Sequence, residues 1–363
     1  MRFPEFSGEW EKELLGTTCN VLMCKRILAS QTNAECGVPF YKIGTIGGAP
    51  DAYISKELFE SYRAKYNYPR KGEVMITCAG TVGKTMIFDG EDSYYQDSNI
   101  VWIDNPTNKI DNTFLYHLIS KVDWSKLNTT TIVRIYNDDL RQLRISYPTL
   151  SEQRKISIFL NLLNQRIETQ KKIIEDLKKL KDAIRTKLFT SLESHCNEYD
   201  EIRNMLHYEQ PSAYLVNSTE YSEDYPIPVL TANKAFILGY TDEEQGVYDK
   251  GDCIIFDDFT MDLKYVTFPF KVKSSAIKIL TPRQNIDLYF IYEYLLYLGL
   301  VSEEHKRHYI SEIESMNIIH PQLKEQRQIS KALRSLEMQV GNAIALQNLL
   351  VKQKQHFLSR MFI

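Results

Sequence analysis

The chain has 363 residues, 43% of them apolar and 12% aromatic, with a formal net charge of −3. That apolar content excludes wholesale disorder, the length suits two or more domains of ordinary size, and the near-neutral balance does not by itself announce a polyanionic ligand. No apolar run approaches the roughly 18 residues that a membrane helix needs.

The N-terminal stretch "MRFPEFSGEWEKELLG" carries four glutamates and no apolar core, so it does not read as a signal peptide. A cytoplasmic protein is therefore expected, with its six cysteines reduced. Cys19, Cys24, Cys36, Cys78, Cys196 and Cys253 are scattered and read as small hydrophobes rather than zinc ligands. The first head then alternates β-branched and aromatic runs with turn signals: "VPFYKIGTI", "KGEVMITCAG", "GKTMIFDG" and "SNIVWIDNP". A helix is predicted at "NTFLYHLISKVD".

Within this head, "ITCAGTVGKT" (76–85) has the Gly-Lys-Thr of a phosphate-cradling loop, but Cys78 stands where the first glycine belongs. The residues after it, "MIFDGEDSYYQDSNIVWID", read as a strand, an Asp-Gly turn and a second strand. No helix N-terminus would face a nucleotide there, so a glycine-rich hairpin is the expectation and nucleotide hydrolysis is not. Thr81, Lys84 and Thr85 remain suited to touching a nucleic-acid phosphate.

An internal repeat organises everything after that. "PTLSEQRKISIFLNLLNQRIETQKKIIEDLKKLKDAIRTKLF" (148–189) aligns without a gap on "PQLKEQRQISKALRSLEMQVGNAIALQNLLVKQKQHFLSRMF" (321–362), 173 residues later. The match reaches upstream, pairing Arg134 with Arg307 and Tyr136 with Tyr309. Ile156, Leu160, Leu163, Ile167, Ile174, Leu177, Ile184 and Leu188 fall on a 4-3 alternation, as do Ile329, Leu333, Leu336, Val340, Ala343, Leu350, Phe357 and Met361. That is a coiled-coil seam. Lys181 and Lys354 are polar intruders at one shared seam position, with Gln170 and Gln347 as further intruders. Thr149 and Glu152 have capping-box spacing after Pro148.

The second head repeats the order of the first: "YPIPVLTA", "KGDCIIFDDF", "KYVTFPFKVKSSAIKIL", then a helical "IDLYFIYEYLLYLGLV". Lys71-Gly72-Glu73 and Lys250-Gly251-Asp252 open matching strands. Asp257 and Asp258 in "FDDFT" have no third carboxylate or histidine nearby in sequence and read as structural. His305 and His308 in "HKRH" are two histidines three apart, for which solvent exposure is the commoner fate than metal binding. No methyltransferase, hydrolase or metal-dependent nuclease signature is present in the sequence.

"RFPEFSGEWE", "GTVGK" (80–84), "YEQPSAYLV" (208–216) and the two P-x-L-x-E-Q-R-x-I segments together resemble the specificity subunits of Type I restriction–modification enzymes, over essentially the whole chain. The resemblance implies a mixed α+β fold with a pseudo-twofold internal repeat. Target-recognition domain 1 would span 1–147, a first spacer helix 148–190, target-recognition domain 2 191–320, and a second spacer helix 321–363. The two helices would form an antiparallel coiled coil separating two globular α/β domains. The resemblance further implies a non-catalytic subunit that binds a bipartite double-stranded DNA target and docks two methyltransferase subunits and restriction subunits. AdoMet, ATP and Mg would belong to those partners, with no cofactor on this chain. Three other readings compete: a specificity subunit serving a fused methyltransferase–nuclease polypeptide, a coiled-coil scaffold with no DNA role, and a stand-alone nuclease built on Asp257 and Asp258.

Charge departs from what a DNA reader usually shows. Residues 1–150 carry a net −1, 151–190 carry +5, 191–320 carry −12 and 321–363 carry +5. The second domain must therefore concentrate few cations where phosphate approaches; Lys264, Lys271, Lys273, Lys278, Lys306 and Arg307 make up most of them. In the first domain Lys71, Lys84 and Arg134 are the expected phosphate contacts, with Thr81, Thr130 and Tyr136 near the groove. In the second they are Lys264, Lys273, Lys306 and Arg307, with Tyr309 matching Tyr136. If the helices act as a ruler, inserting four residues after Leu177 changes the preferred length of the unread DNA spacer and leaves both half-site sequences intact. Methylation mapping checks this, and altered half-sites over an unchanged spacer would overturn it.

Overall fold

A computed structural model describes residues 2–126, 134–231, 236–302 and 306–362. The chain divides into two compact units, residues 1–171 with 346–363, and residues 172–345. Each unit thus holds one head and a stretch of each long helix.

The first head contains strands β1 (Glu11–Leu14), β2 (Asn20–Leu22), β3 (Thr32–Asn33), β4 (Val38–Tyr41), β5 (Tyr53–Ile54), β6 (Val74–Thr77), β7 (Thr85–Ile87), β8 (Tyr94–Tyr95), β9 (Ile100–Asp104) and β10 (Arg144–Tyr147). Its helices of eight or more residues are α1 (Lys56–Lys65), started by the Ser55 hydroxyl accepting from the Leu58 amide, and α2 (Asn112–Ser120). Helix α2 and strands β4, β6, β7 and β9 fall where the sequence pattern places them, and α1 is an addition to that pattern.

An antiparallel sheet of order β2-β9-β6-β7 forms the middle layer. Strand alternation sends Val74, Ile76, Val101 and Ile103 into a core shared with Phe114, Leu115, Ile156 and Leu160. The opposite face sends Met75, Ile100 and Trp102 against Val38, Phe40, Ile54 and Tyr94 of a second sheet, order β3-β5-β4-β8. Burial on both faces explains why "VMI" and "IVWI" are continuous apolar runs instead of alternating ones.

The second head repeats this construction. Its strands are β11 (Tyr199–Glu201), β12 (Leu206–Glu209), β13 (Ile227–Leu230), β14 (Ile237–Thr241), β15 (Cys253–Asp257), β16 (Leu263–Val266), β17 (Lys271–Val272), β18 (Ile277–Pro282) and β19 (Asn317–Ile319). The middle sheet has order β12-β18-β15-β16 and the outer one β14-β13-β17. Ile254, Phe256 and Leu280 face the helices, and Cys253, Ile255 and Ile279 face the outer sheet. In both heads the outer sheet contains one parallel pair, β4 with β8 and β13 with β17.

The two long helices are α3 (Leu150–His195) and α5 (Leu323–Met361), with α4 (Leu288–Leu298) preceding the second. The first runs five residues past the expected boundary at 190, because Phe189 and Leu192 are buried in the second head's core. Within each unit the segments of α3 and α5 are antiparallel. In the first, Phe159 packs edge-on against Phe357 at 4.9 Å, and Lys354, further back along α5, feels the charge of Glu168, further along α3. In the second, His195 meets Glu325 at 3.1 Å and Lys181 meets Glu337 at 2.5 Å. Ile156, Leu160, Leu163, Ile167 and Ile174 are buried, as are Ile329, Leu333, Val340, Ala343 and Leu350. The seam read from the sequence is the packed face.

The glutamine of each Glu-Gln-Arg motif joins its long helix to the head. Gln153 Oε1 accepts from the Asp111 amide at 2.7 Å, while its Nε2 donates to the Pro148 and Lys109 carbonyls at 2.8 and 3.0 Å. Asp111 in turn caps α2 by accepting from the Thr113 and Phe114 amides. In the other repeat Gln326 Oε1 accepts from the Asp287 amide at 2.9 Å and its Nε2 donates to the Pro321 carbonyl at 2.8 Å, and Asp287 caps α4. Glu152 departs from the expected capping box: its buried carboxylate receives both guanidinium arms of Arg2 at 2.7 Å, a stronger interaction than a backbone amide offers. Replacing Gln153 with alanine leaves a buried amide and two carbonyls unpartnered. We expect roughly 1–3 kcal/mol of destabilisation, read from denaturant unfolding of the whole chain; a loss under about 0.5 kcal/mol, typical of surface changes, would count against the clamp.

Candidate nucleic-acid interface

The hairpin β6–β7 carries "GTVGK" at its turn, and its residues are held tightly. Gly80 and Gly83 have φ of +65° and +82°. A Cβ on Gly80 would lie 2.7 Å from Ile43, and one on Gly83 2.2 Å from Trp124. Glycine is required at both places by backbone conformation and by space. The Thr77 hydroxyl accepts from the Lys84 amide at 3.0 Å and donates to the Thr81 carbonyl. The next element is β7 and not a helix, so the turn lacks the helix N-terminus of a phosphate-cradling loop, as expected from the sequence.

Hydrogen bonds link this turn to three neighbouring segments. The Cys78 amide donates to the Asn99 carbonyl at 2.7 Å, and the Ile135 amide donates to the Cys78 carbonyl at 2.9 Å. Arg134 Nη2 donates to the Ser98 carbonyl at 3.4 Å, and its guanidinium sits 5.8 Å from the Tyr136 ring. The Lys84 ammonium donates to the Ile46 carbonyl, securing the turn at 42–48. Four of the residues named from sequence, Thr81, Lys84, Arg134 and Tyr136, therefore share one surface of loops. Tyr136 is 59% exposed on it. Burial pushes the thiol of Cys78, beneath that surface, up to about 12, partly opposed by the Arg134 cation. The same segments add Arg26, paired with Asp97 at 3.1 Å, together with Gln96 and Ser98. Nothing in "YQDSN" separates Gln96 and Ser98 from an ordinary turn, and Arg26 is brought beside them only by its pairing with Asp97.

Lys71 does not join this surface. It precedes the opposite end of β6, exposed, with its stem against Gly90. Thr130 lies outside the described residues, as does His305.

In the second head the equivalent hydrogen bond runs from the His308 amide to the Asp258 carbonyl at 3.0 Å, so Asp258 stands where Cys78 stands in the first. Its carboxylate is buried and busy. Asp258 Oδ1 accepts from the His308 and Tyr309 amides at 3.1 and 2.8 Å, and Oδ2 faces Lys278 Nζ at 3.2 Å. Both Asp257 and Asp258 are buried, which matches their structural reading. Tyr309 corrects an expectation: it is 1% exposed, packed on Tyr208 and Phe256, and lies inside the head where Tyr136 lies outside. The reason is the tether to Asp258, which draws residues 308 and 309 inward where the first head has a neutral cysteine.

Two cations counted from sequence are likewise internal. Lys271 is buried against Glu243 at 3.0 Å, and Lys278 against Asp258. Backbone amides of Ser218 and Asn217, together with Lys271, hold the Glu243 carboxyl down at about 2. Lys264 is exposed on edge strand β16, and Lys273 comes just after β17 with its ammonium 5.7 Å from the Tyr221 ring. Lys306 and Arg307 are both exposed beside the β15–β16 turn, Lys306 pairing with Glu312 at 2.9 Å.

Residues 7–179 and 201–348 each match the model of the Type I restriction modification DNA specificity domain. The chain belongs to that family. It is 54% identical over 142 residues to a putative type I restriction enzyme specificity subunit of Haemophilus influenzae, a match covering 39% of this chain and 37% of that protein. It is 47% identical over 120 residues to the EcoR124I/EcoR124II specificity subunit of Escherichia coli, covering 31% of this chain and 30% of the other. These matches span about a third of the length of those relatives. The fold is similar to that of the Type-I restriction–modification S subunit from M. genitalium, with a TM-score of 0.64 at 16% identity over 100% of this chain and 99% of the other. Among the described residues no helix is long and apolar enough to cross a membrane.

Arg307 is an exposed cation whose place in the repeat is held by Arg134 in the first copy. Changing it to alanine is expected to weaken DNA binding at every site and to reduce the slope of log affinity against log salt by about 1. Titration at several salt concentrations measures it; a loss confined to one base position would make Arg307 a base reader instead.

Proposed function

We propose that the chain is the DNA sequence-recognition subunit of a Type I restriction–modification system and is itself non-catalytic. Each head reads one half of a bipartite target in double-stranded DNA, in the cytoplasm. Two methyltransferase subunits and the restriction subunits dock on the chain and bring AdoMet, ATP and Mg. One observation carries this reading: two heads share one scaffold, down to the glutamine clamp and the four-stranded middle sheet, yet present different side chains on the loops around the hairpin turn. A common frame with unlike loops suits two different half-sites.

Charge supports a division of labour. Thr81, Lys84, Arg134 and Tyr136 form the first head's DNA-facing surface. Lys264, Lys273, Lys306 and Arg307 serve the second, whose net −12 is relieved little by Lys271 and Lys278 because these are spent inside. The second head alone is accordingly a weak DNA binder, and partner subunits supply the remaining positive potential. Footprinting the chain with its methyltransferase partner on random DNA tests the proposal. A protected motif in two parts around an unread spacer is expected; a single uninterrupted motif, or none, overturns it.

A further inference from the structure

Each head passes from its outer sheet to its middle sheet through the same short segment. Strand β8 ends at Tyr95 and β9 begins at Ile100; β17 ends at Val272 and β18 begins at Ile277. Residues 96–99 and 273–276 are therefore equivalent, and matching backbone bonds pin them. The Gln96 amide donates to the Tyr41 carbonyl and the Lys273 amide to the Leu230 carbonyl, both at 2.9 Å. At the other end the Cys78 amide donates to the Asn99 carbonyl at 2.7 Å and the Asp258 amide to the Ala276 carbonyl at 3.0 Å. Each segment thus lies against the turn that follows β6 or β15.

The side chains on this common frame differ in what holds them. Asp97 is engaged by Arg26 at 3.1 Å, and its counterpart Ser274 accepts from the Ala276 amide at 3.1 Å. Ser98 and Ser275 give the two heads the same chemistry, and Asn99 is matched by Ala276, which has no polar side chain. Gln96 and Lys273 remain, polar in both heads and unlike in kind. Gln96 is half-buried, its Oε1 accepting from the Ile43 amide at 3.4 Å. Lys273 is exposed, its ammonium 5.7 Å from the Tyr221 ring. Cations expected on phosphate stand near both. Arg134 donates to the Ser98 carbonyl, two residues from Gln96, and Arg307 directly precedes His308, whose amide joins Asp258.

We propose that 96 and 273 are one specificity-determining position used twice, Gln96 reading an adenine in one half-site and Lys273 a guanine in the other. A glutamine amide accepts and donates side by side, which matches the N6–H2 donor and N7 acceptor that adenine presents in the major groove. An ammonium only donates, which matches guanine O6 and N7. Lys273 thereby passes from phosphate contact to base contact, two roles that salt dependence and sequence preference separate. The assignment rests on the proposed DNA-reading function and goes beyond it by naming the base that each head reads at this place.

The test is methylation mapping, with DNA titration at several salt concentrations, of the whole chain and its methyltransferase partner. Gln96→Lys is expected to move the preference at one position of one half-site from an A·T to a G·C pair, by about tenfold. Lys273→Gln is expected to move one position of the other half-site from G·C to A·T to a similar degree, with the spacer and all other positions unchanged. Gln96→Ala and Lys273→Ala, which add no bulk, are expected to relax discrimination about tenfold at those same positions, and they decide the matter if either exchange unfolds its head. An unchanged motif overturns the assignment. So does a loss uniform across sequences with a salt slope lower by about 1, the mark of a phosphate contact. The unaltered chain keeps the two ideas apart: a missing bipartite motif there is the failure of the proposed function, whereas a bipartite motif indifferent to these substitutions is the failure of this assignment alone.

Discussion

The structure depends on how a long helix with one apolar seam is fastened to a globular head. Gln153 and Gln326 do this with both ends of a side-chain amide, accepting from an aspartate's backbone N–H and donating to the carbonyl of the proline that opens the helix. The same aspartate caps the short helix of the head. A buried amide bonded on both sides fixes direction as well as distance, because rotating it leaves buried partners unsatisfied. The seam and the head's sheets are thereby oriented by one residue in each repeat, while the neighbouring Arg154 and Arg327 stay exposed.

Duplication did not leave the repeats chemically equal. Lys181 is 7% exposed in the seam, 2.8 Å from Glu293 and 2.5 Å from Glu337, with Arg185 also bound to Glu293 at 2.7 Å. Burial pushes the Glu293 carboxyl up, and Lys181, Tyr289 and Arg185 outweigh that and keep it ionised below its ordinary range. The equivalent Lys354 has burial lowering its pKa, with Glu168 opposing and Lys171 adding to the shift. In the position of Glu293 the first head has His117, pushed down to about 4 chiefly by burial and hydrogen-bonded to Asn161 at 3.0 Å. At this position one head meets its helices through buried ions and the other through a neutral imidazole.

The heads show the same economy. The backbone link from residue 135 to 78 recurs from 308 to 258, but the side chain beneath it is a cysteine in one and an aspartate in the other. That exchange leaves Tyr136 outside and takes Tyr309 inside. Loop chemistry is free to diverge because the sheets, buried on both faces, hold the frame.

The sequence alone determined the repeat, the seam, the middle-sheet strands β6, β7, β9 and β15 and the hairpin around Gly83, because each rests on local periodicity or on turn residues whose backbone demands are intrinsic. Its motif also marked Gln153 and Gln326, though without their role. Only the tertiary structure decided which charges are free. Lys271, Lys278 and Tyr309 look like surface groups in a linear reading and are buried, since their partners Glu243 and Asp258 come from distant strands and turns. It also decided that Arg2 claims Glu152 across 150 positions and that Lys71 lies away from the hairpin turn. Periodicity is written along the chain, whereas the desolvation and pairing of a charge depend on what folding brings beside it.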